Sequence, residues 1–191
     1  MMQPAFAFET LEDVYARLMA ARLGEPIEET LARILASWYL GSGAMPQWLG
    51  LGEARFHAMM KRHFPAIYAS SLVSTRETID VERAAELDDL RELLVKNRSG
   101  LSESEIWMAE IVTAGCMGSD HLWQDLGLWQ RADLSKLMLD NFAPLARRNV
   151  KDMKWKKFLY KQLCEAEGIY VCRSPSCEVC VDYDNCFGSE E

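Results

Sequence analysis

The chain has 191 residues, 49% of them apolar, and a formal net charge of −8. That length suits one medium domain with an appendage, and the apolar content supports a sizeable core, which excludes a chain that needs disulfide staples to fold. The negative charge opposes nucleic acid, and no run approaches the roughly 18–20 apolar residues that span a bilayer. The opening MMQPAFAFETLEDV has neither Lys nor Arg and no long apolar run, so a soluble, cytoplasmic chain without a secretory signal is expected.

The pattern is helical almost throughout. Thr10 is placed to cap a first helix with Leu11, Val14, Tyr15, Leu18 and Met19 on one face and Gly24 as its stop. Ile27, Leu31, Ile34, Leu35 and Trp38 repeat that face in a second helix, with Pro26 in its first turn and an end near Gly41. GSGAMP (41–46) reads as a turn. Phe56, Met59, Met60 and Phe64 mark a third helix, stopped by Pro65. Residues 79–97 read as a charged helix with a narrow stripe of Ala84, Leu87, Leu90 and Leu94. Ser102 and Glu105 have the spacing of a capping box before the next helix, which runs toward Cys116 and Gly118. HLWQDLGLW (121–129) predicts a helical turn closed at Gly127. Asp133 is placed to cap a helix carrying Leu134, Leu137, Met138 and Phe142; Asp152 is placed to cap the last, with Trp155, Phe158, Leu159 and Leu163. After Gly168 the periodicity stops. The expected fold is all-α: a bundle of about six to eight helices over 1–168, with an irregular cysteine-rich tail, 169–191, packed on it.

The tail carries the chemistry. Cys172, Cys177, Cys180 and Cys186 follow the spacing C-x4-C-x2-C-x5-C, four thiols within fifteen residues. In a reducing compartment such a cluster favours metal over disulfide. Iron–sulfur clusters are commonly held by four thiolates, and the longer outer arms suit an object wider than one ion. Zinc is the main rival, but its sites often pair two C-x2-C knuckles, and this tail has one. Four reduced cysteines with no cofactor form the plainest alternative. The tail is acidic, with Glu178, Asp182, Asp184, Glu190 and Glu191 against Arg173. The counterweight is basic: Arg147, Arg148, Lys151, Lys154, Lys156, Lys157 and Lys161, against Asp152 alone over the same stretch. Lys154, Lys157 and Lys161 share a helix face that continues to Cys164.

DHLWQDLGLW (120–129), DMKWKKFLYKQLCEAEG (152–168) and CRSPSCEVCVDYDNCFG (172–188) together resemble the NifQ family of nitrogen-fixation proteins. The resemblance covers roughly residues 115–191. It implies a non-enzymatic iron–sulfur protein that takes up molybdenum and delivers it to the proteins that assemble the nitrogenase iron–molybdenum cofactor, namely a scaffold and the iron protein. The family's cysteine motif falls on Cys172, Cys177, Cys180 and Cys186 without a change of spacing.

Two further residues are accessory candidates. His121 lies in a family-like block and offers an extra ligand or a proton; a hydrogen-bonded structural role is the plainer reading. Cys164 offers a spare ligand or, more plainly, a buried thiol. Cys116 reads as a small apolar residue. His57 and His63 are six residues apart and lack the i, i+4 spacing of a helical metal pair. Trp107, Trp123, Trp129 and Trp155 are expected to pack the core around the tail's base. Rival functions are a zinc-stabilised interaction protein, a ferredoxin-like electron carrier, and a helical DNA-repair glycosylase with a four-iron cluster. GLGEARF (50–56) hints at the last, without a catalytic Lys or Asp to accompany it.

Overall fold

The computed structural model describes residues 9–68, 84–166, 168 and 183–190. Its architecture is all-α, as the periodicity predicts, and no strand occurs among the described residues. Seven helices of 11–13 residues form the body: α1 (Leu11–Ala21), α2 (Ile27–Tyr39), α3 (Glu53–His63), α4 (Ala84–Lys96), α5 (Glu105–Gly115), α7 (Arg131–Asn141) and α9 (Trp155–Ala166). Short helices α6 (Leu122–Asp125), α8 (Ala143–Ala146) and α10 (Tyr183–Phe187), and a 3-10 turn at Gln47–Gly50, fill the joints. No helix among the described residues is long and apolar enough to cross a membrane.

Two helices are central. Ten of the thirteen residues of α2 are buried, and α5 is buried along most of its length. A helix that is apolar nearly all round must be packed on several sides. Accordingly α2 meets α1 and α7, while α5 meets α4, α6 and the 3-10 turn; α4 also packs on α9. The core stripes read from sequence are buried as expected: Leu31, Ile34, Leu35 and Trp38; Phe56, Met59, Met60 and Phe64; Leu134, Leu137, Met138 and Phe142. The indole of Trp38 donates to the Pro46 carbonyl at 3.0 Å, so this largest core side chain is polar-satisfied as well as buried.

The helix starts separate into confirmed and corrected. Thr10 forms a full capping box with Asp13. Glu105 supplies half of one, accepting from the backbone of Ser102, and also from Gly100 and Leu101. Ser102 Oγ accepts from Ser104 rather than from Glu105. Asp133 is not a cap: Gln130 precedes α7, and Asp133 sits buried in its first turn near Arg33. Asp152 is not a cap either. Its backbone is left-handed, φ 53, and its carboxylate is taken by Arg131. Of the predicted 79–97 helix, the part from Ala84 is described; residues 79–83 lie outside the described residues.

A polar hub ties the body together. Glu28, wholly buried, accepts from the backbone N–H groups of Gly24 and Glu25 and faces His63 Nδ1 at 3.3 Å. His63 Nε2 lies 2.9 Å from Ser104 Oγ. With Glu28 as acceptor, Nδ1 carries the proton and Ser104 donates to Nε2. Burial, above all, pushes the His63 pKa down, against the pull of Glu28. The hub links α2, α3 and the start of α5.

Candidate metal centre

Only Cys186 of the four motif cysteines lies among the described residues; Cys172, Cys177 and Cys180 lie outside them, as does most of the expected 169–191 tail. Cys186 stands on α10, a short helix whose stacked Tyr183 and Phe187 rings are 4.6 Å apart. The Cys186 carbonyl accepts from the Lys154 backbone N–H at 2.8 Å, and Lys154 Nζ donates to the Asp184 carbonyl at 2.9 Å. Cys186 and Phe187 pack against the core edge. Lys154 directly precedes α9, so α10 docks at the N-terminal end of that helix. Gly168, where the cysteine segment departs, lies past the other end. Twelve residues of α9 separate the two points by about 18 Å.

Arg131, at the start of α7, fastens this corner. Its guanidinium donates two bonds of 2.7 Å to the Asp152 carboxylate, and Nε donates to Glu190 at 3.0 Å. The planar fork suits bidentate capture of one carboxylate while Nε serves another. The hydrogen bond to Asp152, more than any other influence, holds Arg131 firmly cationic, and Glu190 adds to it. Glu190 is 4% exposed at its side chain and also faces His121 Nδ1 at 3.7 Å. His121 thus meets the end of the tail.

A second charge pair lies beneath. Lys156 on α9 is bonded to Asp125 on α6 and donates to the Gly118 carbonyl at 2.7 Å. Asp125 is 2% exposed at its side chain, and the Lys156 pairing offsets the cost of burying it. Gly118 carries no side chain because the Asp125 carboxylate occupies the place where a Cβ would stand. Gly127 closes α6 at φ +72, with Ser37 Cβ only 2.7 Å from where its own Cβ would be.

A cleft of about 460 Å³ runs beside these groups, lined chiefly by Trp123, Trp129, Arg131, Asp152, Phe187 and Glu190. The tail forms one wall and the body the other. Trp123 Nε1 is buried without a partner among the described residues. Of the four tryptophans expected at the tail's base, Trp123 and Trp129 line the cleft and Trp155 is buried in α9. Trp107 instead packs edge-on against His63 of the hub, 6.0 Å away.

No group of three or more His, Cys, Asp or Glu side chains converges as a metal cage among the described residues. Cys186 is a reduced, half-buried thiol whose backbone carbonyl is bonded to Lys154. Cys164 is also reduced and half-buried, but near the far end of α9, about 15 Å along the helix from Lys154. Cys116 is buried in the core, as a small apolar residue would be. His57 is exposed against Trp48, and His63 is spent in the hub.

Sequence reasoning missed Asp125, Lys156, Arg131 and Glu190 as partners. One signal was present: Asp125 stands in an otherwise apolar stretch, and Lys156 adjoins the buried Trp155. Charges at such places are rarely buried unpaired. Arg131 and Glu190, 59 residues apart, leave no local trace.

The three blocks that carry the family resemblance therefore meet in space: α6, the start of α9 and α10 form one corner. A family model described as NifQ matches residues 30–188. "Protein NifQ" of Azotobacter vinelandii is 46% identical over 170 residues, 84% of this chain and 87% of that protein. "Protein NifQ homolog" of Sinorhizobium fredii (strain NBRC 101917 / NGR234) is 36% identical over 163 residues, 84% of this chain and 70% of that protein. "Protein NifQ" of Klebsiella pneumoniae is 33% identical over 165 residues, 85% and 99% respectively. No solved structure matches the chain. With most of its length matched by that family model and by these relatives, the chain belongs to the NifQ family of nitrogen-fixation proteins.

Proposed function

We propose that this chain is a non-enzymatic, cytoplasmic carrier of molybdenum. In this reading Cys172, Cys177, Cys180 and Cys186 hold an iron–sulfur cluster that takes up molybdenum as cargo. The recipients are the scaffold and iron proteins that assemble the nitrogenase iron–molybdenum cofactor. Sulfide and thiolate are soft donors and can hold molybdenum within a mixed cluster.

One observation carries the reading: the last motif cysteine is fixed to the body at the foot of α9 by the Lys154–Cys186 and Lys154–Asp184 bonds. A ligand with a fixed backbone defines where the centre sits. Lys154, Lys157 and Lys161 offer positive charge to a site that four thiolates make strongly negative. Cys164 and His121 are accessory candidates, for a transient ligand and a proton respectively. A carrier also has to release its load, and a site at the margin of the fold suits hand-off better than a closed core.

The test is anaerobic purification followed by metal and sulfide analysis and paramagnetic resonance, on the native chain and on Cys180→Ala. The native chain is expected to carry iron, sulfide and molybdenum, and Cys180→Ala to lose most of all three. Zinc as the only metal sinks the reading in favour of a zinc-stabilised fold. Iron and sulfide that never take up molybdenum point to a ferredoxin-like electron carrier.

A further inference from the structure

The Arg131 guanidinium is bonded on one side to the loop that leads into α9 and on the other to Glu190, four residues after Cys186. Glu190 is an unusual residue to find buried. Glutamate is rarely hidden unless paired, and the last residues of a chain segment are seldom held tightly without a specific tie. Here the side chain is 4% exposed, gripped by Arg131 at 3.0 Å and faced by His121 at 3.7 Å. Moving a carboxylate out of water is costly, and only a close, well-directed partner offsets it. The arrangement therefore persists only while it is complete.

Its place in the chain is informative. On one side of Cys186, the Lys154–Asp184 bond holds α10. On the other, Glu190 is locked to α7 and α6. Between them the Lys154–Cys186 backbone bond fixes the cysteine itself. Three ties on an eight-residue stretch exceed what a short helix needs for attachment alone. The family model ends at residue 188, so Glu190 lies beyond what the family match accounts for.

We propose that Arg131 and Glu190, with His121, form a clamp that positions Cys186 for its role as a ligand; the ligand role itself rests on the proposed function. Arg131 and Glu190 act here as positioning residues, through the backbone that carries Cys186. Asp152 anchors the clamp to the body by holding the same guanidinium. Release of Glu190 removes the tie on the C-terminal side of Cys186 and leaves α10 held by the Lys154 bonds and by the packing of Cys186 and Phe187 on the core edge.

The experiment uses the full chain, reduced and free of metal, with timed alkylation by N-ethylmaleimide and peptide mapping by mass spectrometry. Cys164 is the internal reference. Glu190→Ala and Arg131→Met are each expected to raise the rate at Cys186 relative to Cys164 by about tenfold, as an ordered segment gains access to open forms. Glu190→Gln, which keeps a hydrogen-bond acceptor, is expected to give a smaller rise. An unchanged ratio in Glu190→Ala overturns the clamp. Circular dichroism reports whether the bundle is intact; if Arg131→Met fails to fold, Glu190→Ala, which alters only the tail, decides.

The same proteins are then reconstituted anaerobically with iron and sulfide. Glu190→Ala is expected to bind less iron and to change the paramagnetic resonance line shape. A raised alkylation ratio with native iron content and line shape shows attachment without positioning and overturns the proposal. Should the native chain take up no iron, the cluster reading falls, while the alkylation ratio still judges the clamp.

Discussion

This molecule holds two buried polar assemblies, and they are built differently. Glu28, His63 and Ser104 form a hub sealed inside the body, each 1% exposed or less. Its members come from α2, α3 and the residue before α5, and they satisfy one another and the backbone N–H groups of Gly24 and Glu25. The Lys156–Asp125 pair, which joins α9 to α6, and the Arg131–Asp152–Glu190 clamp, which lines a cleft, form a seam. The hub ties α2 to α3 and the start of α5; the clamp in the seam ties the tail to the body. The family match spans both: His63 and Ser104 of the hub and Asp125, Arg131, Asp152 and Lys156 of the seam all lie within residues 30–188.

The largest expected effect tests whether the seam is also structural. Lys156→Met leaves the Asp125 carboxylate buried without its partner. Breaking a buried pair in this way costs about 3–5 kcal/mol. Urea denaturation is the check, and the double variant Lys156→Met/Asp125→Leu is expected to recover most of the loss. If the single variant is as stable as the native chain, the pair is not buried in solution and the seam is looser than the hub.

A smaller effect separates the hub by pH. Folded His63 has its pKa below the ordinary 6.5, chiefly through burial, with Glu28 and Glu25 pulling it up and Arg62 pushing it down. Between the folded value and about 6.5 the unfolded chain binds the extra proton, so stability rises with pH across that window. Above 6.5 the benefit of a neutral buried ring is fully present; it is lost as pH falls toward the folded value. Thermal melts from pH 7 to pH 5 are expected to show this slope, and His63→Gln to flatten it. An equal slope in the variant assigns the acid sensitivity to other groups.

The helices of the body were legible because buried stripes repeat every 3.6 residues; Phe56, Met59, Met60 and Phe64 are an example, all at most 1% exposed. Local cap rules held where the partner is local, as at Thr10 and Asp13. They failed at Asp133 and Asp152, whose carboxylates turn toward arginines far away in sequence. Of the proposed site, the cysteine spacing is what the sequence offers, and Cys186 alone of the four falls among the described residues. The seam was not legible, because Lys156 and Asp125 are 31 residues apart and a charge pair has no period. Short α10 escaped notice because five residues between acidic positions offer too little pattern to read.

The smallest stability effect accompanies the most specific functional one. Lys157 and Lys161 are exposed on α9, and Lys161 pairs with Glu165 at 3.7 Å. Exposed substitutions away from caps and core usually change stability by no more than about 0.5 kcal/mol. Lys157→Glu/Lys161→Glu should therefore melt almost as the native chain does. The proposed centre, by contrast, gathers four thiolates near an acidic tail, and reversing two charges on the neighbouring helix face adds repulsion to it. That repulsion is screened by salt. The double variant is accordingly expected to bind less iron on anaerobic reconstitution at low ionic strength, with the deficit shrinking as salt is added. Native occupancy at low salt would reduce the lysine face to ordinary solvated surface, and leave Lys154, through its two bonds to α10, as the one basic residue of that face tied to the tail among the described residues.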